Sequence, residues 1–260
     1  MRFVSLTLAV LMIFSLCACS NTPTEEEETT IPYASESPSG KAEVLDRFNA
    51  VMKTAKESKA AISYSLDQGA GGCECENEYI KGAFKTIANK VTDTDFGMST
   101  AYGEPTTDIF PLMGSEEAGS LSLTDVRSAI ITDNESDKTY TIIIKINPET
   151  NPEQGDSIYG KLYKIEKDED ILKNFDIVKD FMTVESYDAT YGTGTIRAIV
   201  DKETDHLTKL ELSRDVRVET EVTGQGTLAS VGTVPMSFNY NSTAHYSLDW
   251  DNPETKDIEA

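Results

Sequence analysis

Between Leu210 and Trp250 the chain keeps one side of its backbone apolar. Leu210, Leu212, Val216, Val218 and Val222 take even positions, broken by Arg214 and Thr220. Lys209, Glu211, Asp215, Arg217, Glu219 and Glu221 take the odd ones. Gly224-Gln225-Gly226 and Gly232 mark a reversal. Val234, Met236, Phe238, Tyr240, Ala244, Tyr246, Leu248 and Trp250 then resume even parity, broken by Ser242. Alternation with period two specifies strands with one buried face. A slip of one residue would turn that whole face to water, so register is strongly fixed. These runs exceed the usual strand of about 5–6 residues. Long antiparallel strands twist and coil, so the pattern predicts a curved sheet.

Other strands precede these. Thr195 to Asp201 alternates through Ile196, Ala198 and Val200, and Asp201 to His206 reads as a hairpin tip. Val126 to Thr132 and Thr139 to Ile146 form a hairpin around the polar residues 133–138. That turn lacks the Gly and terminal Glu of a calcium loop. Ala61 to Leu66 alternates and is ended by a Gly-rich loop carrying Cys73-Glu74-Cys75.

Three amphipathic helices are predicted. Residues 42–57 place Val44, Leu45, Phe48, Val51, Met52 and Ala55 on one face, with Ser39 or Gly40 as N-cap. Residues 76–91 align Tyr79, Ile80, Ala83, Phe84, Ile87 and Val91. Residues 168–182 carry Ile171, Leu172, Phe175, Val178, Phe181 and Met182 behind three acids that suit a helix N-terminus. Residues 92–123 are interrupted by Pro105, Pro111 and four glycines; Phe110, Leu112 and Met113 there read as core. The expected class is α+β: a curved antiparallel sheet of long meander strands, a partly open barrel, packed with about three helices.

The N-terminus carries a different signal. Phe3 to Leu16 has the length of a signal-peptide core and falls short of the roughly 20 residues of a spanning helix. It ends in Leu16-Cys17-Ala18-Cys19, which resembles a bacterial lipobox, with Cys17 an unusual middle residue and Arg2 the sole preceding base. The resemblance implies that residues 1–18 are a signal peptide and that Cys19 carries a diacylglyceryl group. The protein would then be lipid-anchored at the extracytoplasmic face of a cell membrane, and two acyl chains suffice for stable anchoring. Residues 19–40, with Glu25 to Glu28, read as a disordered acidic tether. Residues 41–260 read as a single domain.

The formal net charge of -22 repels nucleic acid and anionic bilayers. Divalent cations or a basic partner are its natural counterparts. No nucleophile elbow, zinc-helix motif or phosphate loop occurs. His206 at a hairpin tip and His245 opposite the apolar parity read as exposed. Cys73 and Cys75 read as a local disulfide or free thiols in a loop, with redox or metal use the alternative. No catalytic residue, metal or cofactor is expected. Trp250 and the tyrosines read as core before any sugar platform.

In element order, residues 41–250 resemble the LolA and LppX-like lipoproteins, and equally other lipoproteins of similar build. The resemblance implies an incompletely closed sheet wrapped around helices, with an apolar interior that takes acyl chains. The expected function is non-enzymatic binding of an apolar small molecule or lipid by side chains such as Phe84, Val218, Phe238 and Tyr240. The alternative is an envelope protein-interaction module with a solid core and an acidic face.

Overall fold

The computed structural model describes residues 38–83, 85, 96–106, 110–111, 120–155, 157–163 and 182–251. Helix α1 is Pro38–Ser58 and is followed by β1, Ala61–Cys75. A helical turn spans 78–83, then comes β2, Phe96–Thr100. Strands β3, Val126–Asn134, and β4, Thr139–Ile146, make the expected hairpin around a 3-10 turn at Glu135–Asp137. The short β5, Glu149–Thr150, leads to α2, Ile158–Leu162. The remainder is β6, Met182–Tyr191, β7, Thr195–Asp201, β8, Leu207–Gly224, and β9, Thr233–Asp249.

All nine strands join one sheet, in the order β2-β1-β9-β8-β7-β4-β3, with β6 pairing β5 and β8. Every pairing is antiparallel, and the sheet is open. Strand β8 pairs β9 along nearly its whole length. Its other edge is divided: β7 takes Leu207 to Ser213, and β6 takes Val216 to Gly224. The break between β6 and β7 therefore lies beside Arg214. Bulges between Gly71 and Glu74 and between Val184 and Ser186 add local twist.

The even-parity face is buried as its pattern requires. Leu210, Leu212, Val216, Val218 and Val222 on β8 face inward with Met236, Phe238, Tyr240, Ala244 and Tyr246 on β9. Each large apolar side chain so buried stabilises the fold by about 1.5–3 kcal/mol. Helix α1 packs on β3 and β8 through Leu45, Phe48, Val51, Met52 and Ala55, the face its periodicity predicts. Polar pins set its position. Asn49 exchanges hydrogen bonds with the Leu121 backbone at 2.9 and 3.1 Å. Arg47 donates to Tyr140 Oη at 2.9 Å and pairs with Asp205 at 2.6 Å.

Several expectations need correction. Helix α1 starts at Pro38, so Ser39 and Gly40 lie inside it; a proline suits the first helical turn because its missing N–H has no partner to lose there. The Gly-rich segment does not end β1. It continues through Gly69 to Gly71 and past the cysteines because β9 offers a partner as far as Met236. Cys73 and Cys75 are thus strand residues, and both thiols are free. Tyr79 is 75% exposed, whereas its supposed stripe mate Ile80 is fully buried. Met182 opens β6; the rest of the expected helix over 168–182, together with Phe84, Leu112 and Met113, falls outside the described residues. Phe110 is core, as expected. No helix among the described residues is long and apolar enough to cross a membrane.

Candidate ligand site on the inner face of the sheet

Three polar residues interrupt the inner face in one cross-strand row. Gln68 on β1 lies opposite Ser242 on β9, and Ser242 lies opposite Arg214 on β8. The row crosses the sheet at the break between β6 and β7. Helix α2 fills that break from below. Its N-terminus is held by Glu149, which accepts from the backbone N–H groups of Ile158 and Tyr159 at 3.1 and 3.0 Å, and by Ser157 Oγ, which accepts from Gly160 N–H. Tyr159 then donates to the Gly192 carbonyl at 2.6 Å. Lys161 pairs with Asp125 at 2.9 Å, largely out of solvent. These contacts place Tyr159 and Tyr163 beneath Arg214.

Arg214 is only 4% exposed. Its guanidinium carbon lies 4.0 Å from the centroid of Tyr163, 5.7 Å from that of Tyr191 and 5.8 Å from that of Tyr240. Its Nε donates to Ser242 Oγ at 3.0 Å. Its Nη1 is buried and has no hydrogen-bond partner. Among the described residues no carboxylate pairs with it. The tyrosines supply no countercharge either, because burial raises their pKa values: Tyr64 and Tyr159 to about 12, and Tyr163, Tyr191 and Tyr246 upward as well. An arginine stays protonated in any protein setting. The inner face therefore carries one unmatched positive charge.

Gln68 adds a second unmet donor. Its Oε1 accepts from Tyr240 Oη at 2.9 Å, while its Nε2 is buried without a partner.

No protein-family model, no curated protein and no solved structure matches the chain.

The expected lining residues lie beside this row. Val218 pairs directly with Phe238, and Val216 with Tyr240. Val218, Phe238 and Tyr240 are 4%, 1% and 3% exposed. Phe84 lies outside the described residues. Sequence reasoning missed Arg214, Ser242 and Gln68 as a group. Two of them were visible as breaks in the alternating pattern, but only the register joins them.

The outer face offers less. Three depressions open to solvent occur among the described residues. One of about 770 Å³ lies beside Cys73 and Cys75 and is rimmed by Glu74, Glu76, Asp188, Glu219 and Glu221. One of about 460 Å³ surrounds Gly69 and Asn241, and one of about 320 Å³ follows β5. None is an enclosed apolar cavity. No cluster among the described residues could hold a metal ion. His245, whose side chain is 36% exposed, faces Asp67 at 3.1 Å through Nε2 and Glu211 at 3.6 Å through Nδ1. Both ring nitrogens face carboxylates, so neither is left to activate a nucleophile. His206 is half-buried and stacks on Trp250 at 3.8 Å.

Proposed function

We propose that this chain is a membrane-anchored, extracytoplasmic lipoprotein that binds an apolar ligand without catalysing a reaction. Binding takes place on the inner face of the open sheet, near Val218, Phe238 and Tyr240. The observation that carries this reading is Arg214. A solid core gains nothing from a buried, unpaired charge, since an apolar residue of similar volume is commonly as stable or more so. A binding face uses such a charge when a ligand completes it. The long single-parity strands and the element order shared with the LolA and LppX-like lipoproteins support the same reading. The lipobox-like Leu16-Cys17-Ala18-Cys19 supports the anchor.

Two experiments test the two halves. The Cys19→Ser chain should leave the detergent phase in a phase-partition assay while the parent chain remains in it; equal partitioning would remove the anchor. The same Cys19→Ser chain should take up a fluorescent fatty acid with saturable stoichiometry near one. Absence of uptake would remove the ligand.

A second reading has its own support. The acidic rim around the depression beside Cys73 suits a basic protein partner held by charge. On that reading envelope crosslinking should trap one protein neighbour, and salt should release it.

A further inference from the structure

The Gln68–Ser242–Arg214 row has donors left over and no acceptor to take them. Strands in a sheet lie about 4.8 Å apart, so Gln68 and Arg214 start roughly 10 Å from each other. Both lean toward the strand between them. Arg214 reaches over β9 to Ser242 Oγ, and Gln68 reaches over β9 to Tyr240 Oη. Their unmet donors, Nη1 and Nε2, are thereby brought toward the same space on the inner face.

We infer that Arg214 Nη1 and Gln68 Nε2 together hold the carboxylate of a long-chain fatty acid, whose tail lies along the apolar rows of β8 and β9. The inference rests on the ligand-binding reading above and names the ligand's head. A carboxylate has two oxygens, one for each donor, and a single negative charge to match a single guanidinium. A phosphate monoester brings nearly two charges, which one arginine does not balance.

Magnitudes favour a missing anion over a self-sufficient tyrosine cage. A desolvated cation–π contact returns about 2 kcal/mol. Removing a guanidinium from water costs several kcal/mol. An orphaned Nη1 and an orphaned Nε2 add to the deficit. The bonds from Arg214 to Ser242 and from Tyr240 to Gln68 fix both side chains in place before the ligand arrives, so little ordering remains to be lost on binding. On either side of the row the inner face is apolar: Leu212 and Ala244 in one direction, Val216 and Phe238 in the other. A tail can therefore lie against the sheet once its head is anchored.

The test compares cis-parinaric acid with cis-parinaryl alcohol, which has the same tail and no charge. Binding to the Cys19→Ser chain is read by fluorescence. The acid should bind at least about tenfold more tightly than the alcohol. Arg214→Met should abolish that preference while leaving alcohol binding in place. Gln68→Leu, which leaves the arginine cage intact, should reduce the preference severalfold. Equal binding of acid and alcohol by the parent chain would overturn the clamp while sparing the ligand-binding reading. So would an alkyl phosphate that outcompetes the acid. Failure of both probes to bind would overturn the clamp and the reading together. The acid–alcohol comparison on the parent chain needs no variant, so a misfolded Arg214→Met protein would not rescue the idea.

Discussion

The Arg214 guanidinium carbon sits 4.0 Å above the ring of Tyr163, a residue contributed just after the short helix α2. The ring compensates part of the cost of burying the charge. Tyr163→Phe keeps the ring and should change stability by less than about 1 kcal/mol. Tyr163→Leu removes it and should cost about 2–4 kcal/mol, the sum of lost packing and lost cation–π attraction. Urea unfolding midpoints of the two variants check this. Equal losses in both would show that the ring face does not support the charge.

Helix α2 is also held by charge. Burial works against ionised Asp125, but the Ser122 backbone N–H and the Lys161 ammonium outweigh it and hold its pKa below the usual aspartate value. A carboxyl whose pKa falls on folding contributes stability above its unfolded pKa of about 3.9, and that stability is lost as pH drops through the folded value. Asp125→Asn should therefore destabilise the protein by roughly 1–3 kcal/mol at pH 7. The gap between parent and variant should close below about pH 3, because both side chains are then neutral. Thermal unfolding from pH 2.5 to 7 measures it. A gap independent of pH would contradict the ion-pair account.

Gly160 lets α2 sit where it does. A Cβ there would lie 2.0 Å from the Glu153 carbonyl oxygen, a backbone atom that cannot turn aside. Gly160→Ala should cost about 1–3 kcal/mol through overpacking. It should also move Tyr163 away from Arg214, so acid-over-alcohol preference should fall along with stability. A variant that kept both would show that α2 does not set the site.

The long strands were legible because side-chain parity is a local property: eight inward residues across β9 state their own register. Pairing partners that lie far apart in the chain were not. Gly69, Gly71 and Gly72 carry no side chain to show parity, so β1 read as ending before them, and only the edge of β9 reveals its continuation. Strand β6 was hidden because the bulge between Val184 and Ser186 resets its alternation. Arg214 and Ser242 stood out as breaks in an apolar pattern, and each alone reads as a tolerated exception. They become a site only when the ladders place them beside Gln68 in one row.

The acidic surface follows from composition, and the structure adds where part of it gathers. Glu74, Glu219 and Arg217 form an exposed ion-pair network on the outer face, with Arg217 3.0 Å from Glu74 and 3.3 Å from Glu219. Exposed pairs of this kind contribute little. Arg217→Ala should leave the urea midpoint nearly unchanged, and a loss above about 1 kcal/mol would show that the network holds β1 to β8.

Native mass spectrometry of the Cys19→Ser chain, purified from the envelope of the cell that makes it, tests ligand binding on the inner face most directly. The account predicts the mass of the chain plus one acidic amphiphile, which leaves on denaturation and returns when a long-chain fatty acid is added back. A bare chain mass from the envelope, unchanged after incubation with the fatty acid, would contradict it.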